Sequence, residues 1–311
     1  REDVSATFSD QVPNRFARFW VENLAAGSLK RFQLSKESAE DQAPSSDLAL
    51  NLKTDERGWP VAATWTGMAK PLFLDGMGDF VSVKVNAFAP RWALQDIWNT
   101  GDATKREQLQ QAKLEFVTAK PAGQTAVEET PHTHRYTQTL EHPRLQWATR
   151  RLEVWKRQPR ARLTFRLNRV SSFDPELLGV VCALPCDGTL PRVSSGGMGF
   201  VPFQDQFPGT CRDYFGIDGW AHYATPEGHW LWVTRDAPLM TLDGPHPKSH
   251  LTGPPPRTGR LVSILYDNFW YTNFQGDSPG VMEFQFDLVW RKSIPGDREA
   301  ESLADALVNE P

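Results

Sequence analysis

Cysteine is scarce in this chain: Cys182, Cys186 and Cys211 are the three among 311 residues. An odd count excludes a fully paired disulfide framework. A metal reading of Cys182 and Cys186 would need two more ligands that their neighbourhood does not offer. Buried thiols are therefore the expectation, since free cysteine prefers the interior. Long apolar runs are missing too. None approaches the roughly 18 residues of a membrane span or the roughly 7–15 of a signal core, so no span and a soluble chain are expected. Positive charge is not in excess. The formal net charge is −4, which excludes the broad positive field that nucleic acid demands as a partner. Tyrosine is sparse, five residues against eighteen Phe and twelve Trp. Tryptophan is costly unless its large surface is buried or stacked, so either a wide core or a sugar-binding surface would use it. The chain opens on Arg1 rather than Met, which reads as a processed product or a piece of something longer.

What is there alternates. Met282, Phe284, Phe286, Leu288 and Trp290 fall on every second position, with Glu283, Gln285 and Asp287 between them, the period of a half-buried strand. Leu163, Phe165 and Leu167 alternate with Arg162, Thr164, Arg166 and Asn168, and Trp230 and Trp232 with Leu231 and Val233. Further strands are expected over residues 15–23, 47–53, 59–66, 80–85, 132–141, 144–155, 178–184, 214–224 and 260–266. Turn chemistry separates them at Asp55 to Gly58, Asp187-Gly188, Ser194 to Gly197, Pro226 to Gly228 and the Pro-rich 245–256. Two segments break the pattern: 90–113 reads as one or two inserted helices, and the tail 296–311 as a short helix. The whole predicts a mainly β protein, a large antiparallel β-sandwich over 1–295 with a possible smaller sub-sandwich.

The motif-bearing stretch starts at Asp174-Pro175-Glu176-Leu177. It runs through Ser194-Ser195-Gly196-Gly197, Pro202 to Gly209, Cys211-Arg212-Asp213-Tyr214, Ile217-Asp218-Gly219-Trp220 and Asp236-Ala237-Pro238-Leu239, and ends at Tyr266-Asp267-Asn268-Phe269-Trp270-Tyr271-Thr272-Asn273-Phe274. In this order the blocks resemble the C-terminal part of glycoside hydrolase family 38, the α-mannosidase-like group. The resemblance is clearest over 132–290. It departs from the family at Asp267-Asn268-Phe269, where paired Asn is usual, and at the Pro-rich insertion.

The resemblance implies a galactose-mutarotase-like supersandwich packed on an N-terminal catalytic barrel. In such enzymes the barrel supplies two carboxylates, about 5 Å apart for a retaining mechanism, and a zinc ion. The family's His-x-Asp zinc pair occurs nowhere in this sequence and no βα alternation fills its first hundred residues. No catalytic residue is therefore assigned, no cofactor is expected in this chain, and zinc is implied only for the barrel. Carbohydrate and the barrel are the implied partners. The carbohydrate-binding candidates are Asp205, Arg212, Asp213, Asp236, Trp270 and Asn273. For the carboxylates, Asp218 included, the plainer role is hydrogen bonding in turns. His132 and His134 share a strand face with Tyr136 and would hold zinc if a third ligand converged, but a structural or surface role is preferred. Trp230 and Trp232 are expected in the core. Residues 139–151 read as a hairpin corner, with Arg150 and Arg151 on a solvated face. A free-standing carbohydrate-binding or sugar-epimerising sandwich, and a structural sandwich for protein contacts, are the alternatives.

Overall fold

The computed structural model describes residues 2–9, 12–18, 48–86, 113–174, 176–207, 210–244, 255–268 and 276–309. The helices expected over 90–113 and the Pro-rich stretch fall almost wholly outside these residues, as do Trp270 and Asn273. Strands β1 (Glu2–Ser9) and β2 (Val12–Arg18) pair with each other, as do β3 (Leu50–Thr54) and β4 (Pro60–Trp65). Next come β5 (Phe80–Asn86), β6 (Lys113–Thr118), β7 (Lys120–Pro121) and β8 (Ala126–Glu129). The long antiparallel run is β9 (Thr133–Glu141), β10 (Leu145–Trp155) and β11 (Arg160–Arg169), followed by β12 (Glu176–Ala183). Then follow β13 (Arg192–Ser195), β14 (Met198–Phe200), β15 (Phe215–Gly216), β16 (Trp220–Thr225) and β17 (Gly228–Thr234). The chain closes with β18 (Leu239–Leu242), β19 (Arg260–Asp267), β20 (Gly280–Arg291) and helix α1 (Asp297–Val308).

Two antiparallel sheets form the expected sandwich. The larger runs β14-β13-β16-β17-β20-β11-β10-β9-β7, with β8 also on β9; the smaller runs β15-β18-β19-β12-β5-β6. The period-2 strands explain the packing. Leu163, Phe165 and Leu167 of β11 and Phe284, Phe286 and Leu288 of β20 point into a core shared with Leu178, Val180 and Leu261 of the smaller sheet. Phe80 stacks on Phe165 at 5.3 Å across the two sheets. Every residue of β12 is buried, as expected for a central strand covered on both faces. Trp230 and Trp232 are fully buried in the core. Their neighbours Leu231 and Val233 face outward but are also buried, because α1 packs Ala300, Ala304 and Leu307 against them.

Helix α1 is docked by charge as well as by apolar contact. Arg192 donates to Asp297 from Nε at 2.5 Å and Nη2 at 2.8 Å, and Trp220 Nε1 donates to Glu301 at 2.6 Å. A Cβ on Gly199 would sit 2.6 Å from the Asp297 carboxylate, so the helix start approaches only because that position is glycine. Gly196 and Gly197, with φ of 63° and 76°, make the tight β13–β14 hairpin turn that their sequence signals.

Three expectations need correcting. Residues 214–224 are not one strand: β15 belongs to the smaller sheet and β16 to the larger, so the chain crosses the sandwich at Ile217-Asp218-Gly219. Arg150 is not solvated. It is buried in phase with Ala148 and Leu152, pairs with Asp79 at 2.9 Å and lies 3.9 Å over the Trp59 ring. Cys182 and Cys186 are buried thiols as expected, but Cys211 is exposed.

Candidate functional site

The ladders bring charged residues to one end of the sandwich. Arg169 closes β11 opposite Gly280 of β20, and Glu176 opens β12 opposite Lys84. Leu177 then pairs with Asp267. Arg169, 1% exposed, donates Nη2 to Glu176 at 2.8 Å and Nη1 to Asp277, and its guanidinium lies 3.7 Å over the Tyr266 ring. Arg144 adds ion pairs of 2.7 Å to both Glu176 and Asp174, and Lys84 meets Asp174 at 2.7 Å. Ser171 donates its hydroxyl to Asp277 at 2.5 Å.

Burial and charge pull these carboxyls in different directions. Burial pushes Glu176 up and the arginines only partly offset it. Asp174 is held low, chiefly by its bonds to Lys84 and Arg144. For Asp277 burial is outweighed by Ser171 and Arg169, and the net shift is downward. Removing one member of such a buried set leaves an uncompensated charge, at about 3–5 kcal/mol.

This network reaches the backbone at Asn268 and beside Gly276. Asn268, 1% exposed, accepts the Glu176 N–H at 2.7 Å and donates to the Gly276 carbonyl at 3.4 Å. The Tyr266 hydroxyl donates to the same carbonyl at 3.3 Å. Asn268 thus serves the backbone as its amide chemistry allows, donating and accepting at once.

The other motif block is Cys211 to Tyr214. Asp213 is buried and Arg212 half-buried, and Arg212 lies 5.5 Å over the Phe203 ring. The Nε of Arg212 is buried without a hydrogen-bond partner among the described residues. Phe203 itself is held at φ 69°, a left-handed conformation that costs a bulky residue about 1–3 kcal/mol and is found where structure positions a group. Burial raises the pKa of Tyr214, and the negative charges of Asp267 and Asp213 add to it.

Two candidates lie apart. Asp205 is exposed and accepts the Val201 N–H at 2.7 Å, with Arg192 at 3.8 Å. Asp236 is exposed and accepts the Gln285 N–H at 2.9 Å; the chain leaves the larger sheet after Thr234 and enters the smaller at Leu239, with Pro238 in neither. Asp218 accepts the Gly197 N–H at 3.1 Å, a turn role. Among the described residues no three His, Cys, Asp or Glu side chains gather as a metal-binding group. His134, lowered by burial, stands 6.4 Å from the Tyr136 ring. No helix among the described residues is long and apolar enough to cross a membrane.

Sequence reasoning passed over Arg169, Arg144 and Asp277. A signal existed for Arg169: it falls in the inward phase of Leu163, Phe165 and Leu167, where a charge must find a buried partner.

No protein-family model matches the sequence, and no curated protein matches it. Solved structures do share the fold. An α-mannosidase from Enterococcus faecalis V583 superimposes with a TM-score of 0.53 at 10% identity, over 82% of this chain and 30% of that one. A protein in the glycosyl hydrolase family 38 from Enterococcus faecalis gives 0.53 at 10% identity, over 89% and 34%. A galactose mutarotase related enzyme from Lactobacillus acidophilus gives 0.30 at 10% identity, over 60% and 78%. With the first two the likeness is one of fold: this chain is built like one part of those chains and spans 30% and 34% of their lengths.

Proposed function

We propose that this chain is the non-catalytic, carbohydrate-facing part of a larger glycoside hydrolase of the α-mannosidase type. Its sandwich supports a separate catalytic barrel, and its charged end lends side chains to saccharide binding. The observation that carries the reading is the buried ion network around Arg169, which contacts Tyr266 and Asn268 in one of the blocks behind the resemblance. That network holds Asn268 and Gly276 side by side. The fold match to about a third of two such chains supports the same reading.

In this reading Arg212, half-buried, offers donors to sugar hydroxyls, and the Arg169 set holds the backbone around Asn268 and Gly276. Asp205 and Asp236, spent on turn and strand-end backbone groups, contribute less. Zinc and the catalytic carboxylates belong to the barrel. Hydrogen exchange tests this: a saturating α-mannoside should slow amide exchange in residues 211–214 and 266–268. Unchanged exchange at both segments would overturn the saccharide role.

A further inference from the structure

Strand β10 carries an irregularity with a consequence for the surface. The ladder with β11 shifts register between Leu145 and Trp147, so that Gln146 and Trp147 are both exposed where strict alternation would turn one of them inward. Bulges of this kind re-aim side chains and are over-represented at sheet edges and beside active sites. Trp147 is left 38% exposed, whereas Trp59, Trp65, Trp220, Trp230 and Trp232 are all buried.

Trp147 walls a cleft of 620 Å³ at the open edge of the sandwich, lined also by Leu140, Leu145, Thr139, Lys120 and Glu141. That volume suits a small-molecule site, which is typically about 300–1,000 Å³ with a few polar groups converging on an apolar lining. Lys120 and Glu141 stand directly opposite each other across the β7–β9 ladder. Opposite charges so placed attract, yet neither forms an ion pair or side-chain hydrogen bond with another described residue. Gln146 accepts from Asn168 through Oε1 at 2.9 Å, which leaves its amide N–H groups as donors.

We infer that this cleft binds a neutral pyranose, stacked on the Trp147 indole and hydrogen-bonded by Glu141, Lys120 and Gln146. One cation and one anion cancel, so the site selects no net charge. A hydroxyl both donates and accepts, which answers a carboxylate and an ammonium set side by side, and the apolar C–H face of a pyranose answers the indole. The site is separate from residues 211–214 and 266–268, and its choice of saccharide over other small neutral molecules rests on the proposed function.

Calorimetric titration of the whole chain with methyl α-mannoside, methyl α-glucoside and their disaccharides tests it. Binding of at least one is expected. Trp147→Ala should weaken it about tenfold or more while the melting curve stays intact, Trp147→Phe should retain most of it, and Glu141→Gln should weaken it less than Trp147→Ala. If Trp147→Ala binds like the parent, or no saccharide binds, the inference is wrong. Arg212→Ala separates the two readings. Binding lost with Arg212→Ala but kept with Trp147→Ala overturns this site and keeps the charged-end reading; the reverse keeps this site and removes the other.

Discussion

The two ends of the sandwich are closed by different means. At the end where β10 finishes and β17 begins, indoles do most of it, beside the buried Arg160–Asp287 pair at 2.8 Å: Trp65 Nε1 donates to the Trp155 carbonyl at 3.0 Å, and Trp230 Nε1 to the Pro71 carbonyl at 3.3 Å. Trp230 also meets Trp290 edge-on at 6.5 Å. Each ring buries a large surface and has a single N–H to satisfy. At the other end Arg169, Glu176, Asp277, Arg144 and Asp174 do it with ion pairs. Buried ion pairs rarely stabilise more than apolar residues of the same volume would, because desolvation consumes the Coulombic gain. Stability therefore accounts for the indole end, and positioning accounts for the charged end.

The largest effects should come from single truncations at either end. Arg169→Met removes the buried cation shared by Glu176 and Asp277 and should destabilise by about 3–5 kcal/mol; Trp230→Ala should cost about as much through its cavity, about 3–5 kcal/mol. Urea denaturation reads both. The contrast sharpens when Arg169 and its two acid partners go together: Arg169→Met with Glu176→Leu and Asp277→Leu should return to within about 1–2 kcal/mol of the parent. Amide exchange around Asn268 and Gly276 should nevertheless rise. A combined variant as unstable as Arg169→Met alone would show that the network is kept for stability after all.

A smaller loss is expected for Asn268→Leu, which leaves the buried Glu176 N–H without its acceptor at about 1–3 kcal/mol. Thermal melting with and without saccharide checks it, and equal losses in both are expected.

Acid should act on the charged end next. His142 accepts the Arg144 N–H at Nδ1 and its Nε2 meets Ser82 at 3.0 Å. Burial pulls its pKa from 6.5 to about 4. The unfolded chain then binds the proton first, so stability falls as pH drops from 6.5 towards 4, by at most about 1.4 kcal/mol per pH unit. Asp174, held low, extends the loss at lower pH as its carboxylate protonates and its ion pairs with Lys84 and Arg144 are lost. His142→Gln should remove its share of that slope, leaving the share of His222, which burial also pulls from 6.5 to about 4. Smallest of all, Asp236→Ala removes an exposed contact to Gln285 and should change stability by under about 1 kcal/mol.

Much of the scaffold was legible because local period and global burial agree. The alternation in β11 and β20, the Gly196-Gly197 turn and the apolar tail of α1 all appear where the residues place them. The crossing at Ile217-Asp218-Gly219 was not legible, since the chain on both sides is apolar and only Asp218-Gly219 marks the turn. Asp287 falls on the outward phase of β20, yet it is fully buried and meets Arg160 at 2.8 Å and Arg162 at 3.1 Å. The ion network was half legible. Arg169 sits in an inward phase, but its partner Asp277 lies 108 residues away, and only the folded sheets bring them together. Trp147 was hidden because a bulge leaves no mark in the pattern of residue types.

The proposal that this chain faces carbohydrate while a separate barrel hydrolyses it stands or falls on catalysis. Its most direct test is turnover of an aryl α-mannoside by the purified chain, with and without zinc, beside the product of the complete reading frame. No turnover by the chain is expected under either condition, and turnover is expected from the complete product. Zinc-dependent hydrolysis by the chain alone, lost on chelation, would contradict it.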